Sequence, residues 1–240
     1  MVPYCGAAPL PGQLIGRWNL DPVLLTALVL VAAWHLHAAG ARQRQIVAAG
    51  WGIAALAFIS PICALSVALF SARITQHMIL MLVAAPLIGW ALPRGRWKQS
   101  PWWSAGAFAA AIWVWHMPAP YEATFRSTAT YWSMHVSLFG TAIWLWRDLL
   151  NHRSEETLTV IAAGLFACVQ MGLLGAVLTF SAHPWFAWYV STTEPWGLTQ
   201  LQDQQLGGVI MWVPSGVVFL AAMTRSMMLM HNWLEQPATR

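Results

Sequence analysis

The sequence predicts an all-α fold: an integral membrane bundle of about seven transmembrane helices, amino terminus outside and carboxyl terminus in the cytoplasm. Three observations carry that expectation. The 240 residues are 58% hydrophobic and 8% charged, with a mean hydropathy of +0.56, whereas a soluble domain carries roughly a quarter charged residues. A chain so poor in charge cannot solvate its own surface, so lipid is its expected solvent. The apolar residues also fall in runs of about 20, the length a helix needs to cross the hydrocarbon core. Finally, the basic residues concentrate in alternate loops.

Taken in order, the runs are Pro22–Ala39, Ile46–Phe70, Ile74–Leu92, Trp102–Met117, Tyr131–Leu150, Leu158–Ser181 and Gly207–Met230. The second contains Ser60-Pro61, where a missing backbone donor predicts a kink. The fourth is short and is closed by Pro118 and Pro120. The seventh opens on Gly207 and Gly208, small residues that permit close helix approach in a membrane. Barrel strands are excluded, since they would read as alternating segments of about ten residues. No repeat or low-complexity tract interrupts the pattern, and 1–240 reads as a single membrane domain.

Orientation follows from the twelve Lys and Arg. Arg42, Arg44, Arg94, Arg96, Lys98, Arg147, Arg153, Arg225 and Arg240 fall on one side, and Arg17, Arg73 and Arg126 on the other. The positive-inside rule puts the first set in the cytoplasm. The net charge of +4 is dispersed through short loops, so no nucleic-acid partner is expected. Cys5, Cys63 and Cys168 are widely spaced and form no CxxC pair, so neither a disulfide framework nor a thiolate metal site is expected. Met1 to Trp18 lacks a basic region followed by an apolar core, and no cleaved signal or lipid anchor is expected there. The seventeen tryptophans cluster toward helix ends and read as aromatic belts at the two interfaces.

Ionisable groups inside a membrane are the default candidates for function. No acid falls in the middle of a run, which argues against a proton or sodium pump and lowers a transporter reading. Gln170 is the one strongly polar residue near a midplane and reads as an interhelical hydrogen-bonding group. Histidines are more informative. His77, His116 and His135 each lie within roughly 2 to 7 Å of the outer end of a different helix. Asp203, Gln204 and Gln205 fall on the same side. Met78 and Met117 adjoin two of these histidines, but adjacent helical residues point about 100° apart, whereas Met81, four residues from His77, shares its face. Imidazole with thioether is a ligand set that favours copper, above all Cu(I). His183 also falls on the outer side, and four histidines, His35, His37, His152 and His231, fall on the cytoplasmic side; matched depth on separate helices is what distinguishes His77, His116 and His135.

These features resemble the CtaG family of cytochrome c oxidase assembly factors, polytopic membrane proteins named from caa-type oxidases. The resemblance rests on SPICALSVALFSARITQHMILMLVAAPLIGWALP at Ser60–Pro93, WHMPAPYEAT at Trp115–Thr124, YWSMHVSLFGTAIWLW at Tyr131–Trp146 and LQDQQLGGVIMW at Leu201–Trp212. The chain departs from the pattern where many members resemble HMxxHM: Arg73-Ile74 stands in place of the first His-Met, and His77-Met78 remains. The resemblance implies a non-enzymatic role in maturing a haem-copper oxidase in a bacterial inner membrane, by helping copper reach its metal centre at the extracytoplasmic face. The expected partners are an oxidase subunit, an extracytoplasmic copper donor and the bilayer. The expected metal residues are His77, His116, His135, Met78, Met81 and Met117, with Asp203 and Gln204 orienting an imidazole. The alternatives are a metal-free assembly scaffold and a haem b electron-transfer protein with axial histidines.

Overall fold

The computed structural model describes residues 2–92 and 100–235. It is all-α, 81% helical, with no strand among the described residues. Arg94, Arg96, Lys98 and Arg240, read above as loop residues, lie outside the described residues.

Among the described residues ten α-helices follow one another: α1 Pro22–Ala38, α2 Arg44–Ile59, α3 Ile62–Ala68, α4 Phe70–Met78, α5 Ala85–Ala91, α6 Pro101–Trp115, α7 Pro118–Arg126, α8 Thr128–Leu150, α9 Thr157–Phe180 and α10 Gln200–Leu234. A π-helical stretch, Ile79–Ala84, joins α4 to α5, so Phe70–Ala91 runs as one helical rod. Three rods are long and apolar enough to cross a membrane: Phe70–Ala91, Ser154–Phe180 and Gln200–Leu234. The bent pair α2–α3 makes a fourth if it counts as one span, and α1 is a shorter apolar helix.

Local chemistry sets the ends. Asp21 caps α1 by accepting from the Val23 amide at 2.8 Å, with Pro22 at the first helical position. Pro61 breaks the second run as expected, turning α3 by 46° from α2. A second break, at Leu69 in extended backbone, separates α3 from α4. Met117, extended because a proline follows, is the N-cap of α7 and lets Pro118 open it. Ser127 caps α8 through the Thr130 amide, and a Thr199–Gln202 capping box opens α10.

The Phe70–Ala91 rod is central, with 67% of its apolar window buried, against 39% for the rod containing α9 and 28% for α10. The outward faces of α10 carry Val209, Val213, Val217 and Leu220, the apolar exposure expected where lipid rather than water is the solvent. Helix α10 packs most extensively on α9 and then on α4, while α8 packs on α5 and α6. The α9–α10 contact depends on Gly175 and Gly208: a β-carbon on Gly208 would lie 2.6 Å from the Gly175 carbonyl, and one on Gly175 would lie 2.9 Å from the Gly208 carbonyl. Trp113 donates from its indole nitrogen to Gln170 at 3.0 Å, joining α6 to α9 in the interhelical role expected of that glutamine.

Two expectations are corrected. Cys5 and Cys63 form a disulfide, with Cα atoms 5.4 Å apart. Spacing cannot reveal it because folding, not a short motif, brings the N-terminal segment onto the start of α3. Arg73, counted as an outer loop residue, is instead the fourth residue of α4 and only 1% exposed. The helix starts earlier than hydropathy suggests because a carboxylate from α10 caps it.

Candidate functional site

The capping carboxylate belongs to Asp203. One oxygen accepts from the Phe70 amide at 2.6 Å, and the other accepts from the Ser71 amide at 3.1 Å and the Ser71 hydroxyl at 2.5 Å. An acid at a helix N-terminus satisfies free amides and opposes the positive end of the helix dipole. Starting at Phe70 makes His77 the eighth residue of α4, and His135 is likewise the eighth residue of α8. Both therefore lie roughly 10 Å along their helices, deeper than the terminal turns expected from sequence. His116 is the residue that ends α6.

These three histidines, from three helices, meet in the interior. Each is 1% exposed. The His77 ring centre lies 5.2 Å from that of His135 and 5.8 Å from that of His116, in edge-to-face arrangements. Imidazoles whose nitrogens share an ion at about 2 Å place their ring centres roughly 5 to 6 Å apart, so both spacings suit shared ligation. His77 is the common member. As the side chains stand, no group of three or more His, Cys, Asp or Glu among the described residues is arranged to hold a metal ion, so shared ligation by all three rings would need them to turn toward one point.

Hydrogen bonding sets which nitrogens are free. His116 Nδ1 lies 2.6 Å from the Ile112 carbonyl, and His135 Nδ1 lies 3.0 Å from the Tyr131 carbonyl. A carbonyl oxygen only accepts, so both Nδ1 atoms carry the proton, and in the neutral rings Nε2 is left as a bare lone pair. Among the described residues neither Nε2 has a hydrogen-bond partner, and neither nitrogen of His77 has one. Buried polar atoms are normally satisfied, and each exception calls for a reason. Neutral His77 carries a proton on one nitrogen and a lone pair on the other, so the three adjoining rings offer three lone pairs, one each, to a group that accepts them, such as a metal ion.

Arg73, one helical turn before His77, reaches the same region. Its Nη1 donates to the Thr124 hydroxyl at 2.7 Å, and its Nε has no partner. The guanidinium carbon sits 4.0 Å from the Phe125 ring centre, 5.1 Å from Tyr121 and 6.0 Å from Tyr131. Aromatic faces thus replace a carboxylate around this buried cation. Tyr121 and Tyr131 in turn approach His116 at 6.3 Å and His135 at 4.2 Å, ring centre to ring centre. Sequence reasoning missed this tier. An arginine four residues before a histidine within a hydrophobic stretch was the available signal.

The other expected residues are placed unequally. Met78 and Met81 are buried, but Met117 is 54% exposed. The π-helical stretch opens at Ile79, so the assumption of a regular α-helix that put Met81 on the face of His77 does not hold there. Asp203 caps α4 rather than orienting an imidazole. Gln204 accepts from the Trp185 amide at 2.7 Å and donates to the Leu178 and His183 carbonyls at 3.4 Å. Both residues build the frame that positions α4, because the start of α10 lies against the α9–α10 connection and the first turn of α4.

The N-terminal segment covers one side. Tyr4 stacks on Tyr131 with centres 4.8 Å apart, and the Tyr131 hydroxyl lies 3.4 Å from the Cys5 sulfur. Tyr4 also donates to Asp21 at 2.6 Å. This bond holds the Asp21 carboxyl below its ordinary range, while burial, first of all, pushes the Tyr4 phenol up to about 12.

Fold and site together define an all-helical protein of membrane-helix character with a buried histidine cluster at the centre of its bundle. The sequence profile of the cytochrome c oxidase caa3 assembly factor family matches residues 27–236. The chain belongs to that family. No curated protein and no solved structure gives a match.

Proposed function

We propose that this assembly factor holds Cu(I) as cargo on His77, His116 and His135 and passes it to an oxidase subunit at the extracytoplasmic face. The observation that carries this reading is the set of unpartnered nitrogens on three adjoining buried imidazoles. Imidazole nitrogens suit copper far better than magnesium or calcium. His116 and His135 are held by their backbone carbonyls with Nε2 free, so no proton need be displaced from those nitrogens on loading. A site of three histidines suits transfer, because a closed four-ligand cage would retain its ion. Buried Met78 and Met81 are candidate thioether donors to the same ion, and exposed Met117, beside His116, is a candidate first contact for incoming copper.

The reading includes seven spans in a bacterial inner membrane, with the amino terminus outside and an extracytoplasmic donor loading the site. The helices near each of the seven apolar runs support the count, and the uneven basic residues support the orientation. The Cys5–Cys63 disulfide supports an oxidising compartment on the amino-terminal side.

The test is metal content and an absorption spectrum of detergent-purified, anaerobically copper-loaded protein, wild type beside a His77→Ala, His116→Ala, His135→Ala variant. Near-stoichiometric copper in wild type, lost in the variant and without a haem band, is the expected result. No copper in either protein, or equal copper in both, overturns it. A Soret band lost with the same histidines would instead favour the haem b reading.

A further inference from the structure

We infer that Arg73 is a charge filter on the histidine cluster, selecting a monovalent over a divalent cation; the inference rests on the metal reading above. Arg73 is 1% exposed and precedes His77 by four residues on the same helix, a spacing that puts two side chains on one face. The remaining tier connects it to the other two rings. Tyr121 approaches both the guanidinium and His116, and Tyr131 approaches both it and His135. No carboxylate pairs with Arg73 among the described residues. The acid that comes into this part of the fold, Asp203, is committed to the Phe70 and Ser71 donors.

Arg73 therefore brings an unneutralised positive charge to a cluster of uncharged donors. A guanidinium stays protonated under any ordinary condition. Thr124 and the faces of Phe125 and Tyr121 fix where that charge lies. Repulsion grows in proportion to the charge of the incoming ion. At the effective dielectric of a protein interior and a separation of one helical turn or somewhat more, each added unit charge costs about one to two orders of magnitude in affinity. Zn(II) and Cu(II) meet that penalty twice, and Cu(I) meets it once. Imidazoles alone would favour the divalent ions common to nitrogen sites, so the arginine corrects a preference that the histidines cannot correct themselves.

The experiment measures Cu(I) affinity and Zn(II) affinity separately, each by competition with a chromophoric chelator, on the full detergent-purified chain under anaerobic conditions. Wild type is compared with Arg73→Gln, Arg73→Met and Arg73→Lys, all checked for a monodisperse folded state. Two neutral replacements guard against one failing to fold, and the lysine variant keeps the charge without the planar group. The ratio of Cu(I) to Zn(II) affinity is expected to fall at least tenfold in each folded neutral variant and to stay within about threefold of wild type in Arg73→Lys. Cu(I) bound with an unchanged ratio in a neutral variant overturns the filter and leaves the metal reading standing. Absence of bound Cu(I) from every protein, wild type included, overturns the metal reading and the filter with it.

Discussion

Asp203 shows why a single residue has to be read with its partners. An acid close to a set of histidines suggests an imidazole-orienting role, yet its oxygens receive two amides and a hydroxyl at the start of α4. Hydrogen bonds to a charged group contribute about 1.5–3 kcal/mol each when buried. Asp203→Asn keeps the shape and one acceptor oxygen while removing the charge. The expected outcome is a destabilisation of about 2 kcal/mol, read as a lower thermal midpoint in detergent. Copper content per folded molecule should stay as in wild type. A protein that keeps its midpoint but loses its metal would show that Asp203 serves the imidazoles instead. Arg73 makes the converse point, because a residue counted as a loop cation is buried beside the cluster.

At the scale of elements, the contact that holds α10 in place is the same contact that delivers Asp203 to α4. Gly208 and Gly175 let the backbones of α9 and α10 meet, and no β-carbon fits between them without movement of main-chain atoms. Gly208→Ala is expected to cost about 1–3 kcal/mol through overpacking, and Gly208→Leu to prevent accumulation of folded protein. Gly216, on the same helix, has open space where a β-carbon would stand, with no neighbouring atom within 4 Å. Gly216→Ala should therefore be neutral or stabilise by about 0.5 kcal/mol through helix propensity. Thermal unfolding of the two alanine variants side by side checks the pair. Equal midpoints would mean that α9 and α10 are not held by this close crossing. Pro61 and the extended Leu69 act at the same scale, for they turn the chain so that α4 descends into the bundle centre.

For the molecule as a whole, the disulfide and the Tyr4 stack fasten the N-terminal segment over the His135 side of the cluster. Cys5 and Cys63 are 58 residues apart, and closing a loop of that size contributes about 4 kcal/mol in the chain-entropy picture. A Cys5→Ser, Cys63→Ser variant should unfold at lower temperature. It should also expose His135 to diethylpyrocarbonate, followed by peptide mass spectrometry, while exposed His183 reacts equally in both proteins. Unchanged protection of His135 would show that the helices alone seal the cluster. The apolar outer faces of α9 and α10 have the complementary role of meeting lipid.

Much of this was legible along the chain. Low charge and the long apolar runs specify helices, because in lipid every backbone group must be bonded within its own segment. Pro61, Pro118 and the histidines on three separate helices were also readable, since each acts through local geometry or residue chemistry. Contacts between distant segments were not. The disulfide joins residues with no motif between them, α4 begins at Phe70 because a carboxylate more than a hundred positions later caps it, and the π-helical stretch changes the facing of Met81. Hydropathy by itself determined the class of protein and supplied the candidate donors. Tertiary structure decided which nitrogens are left without partners and that an unpaired guanidinium stands beside them, because both depend on groups that only packing brings together.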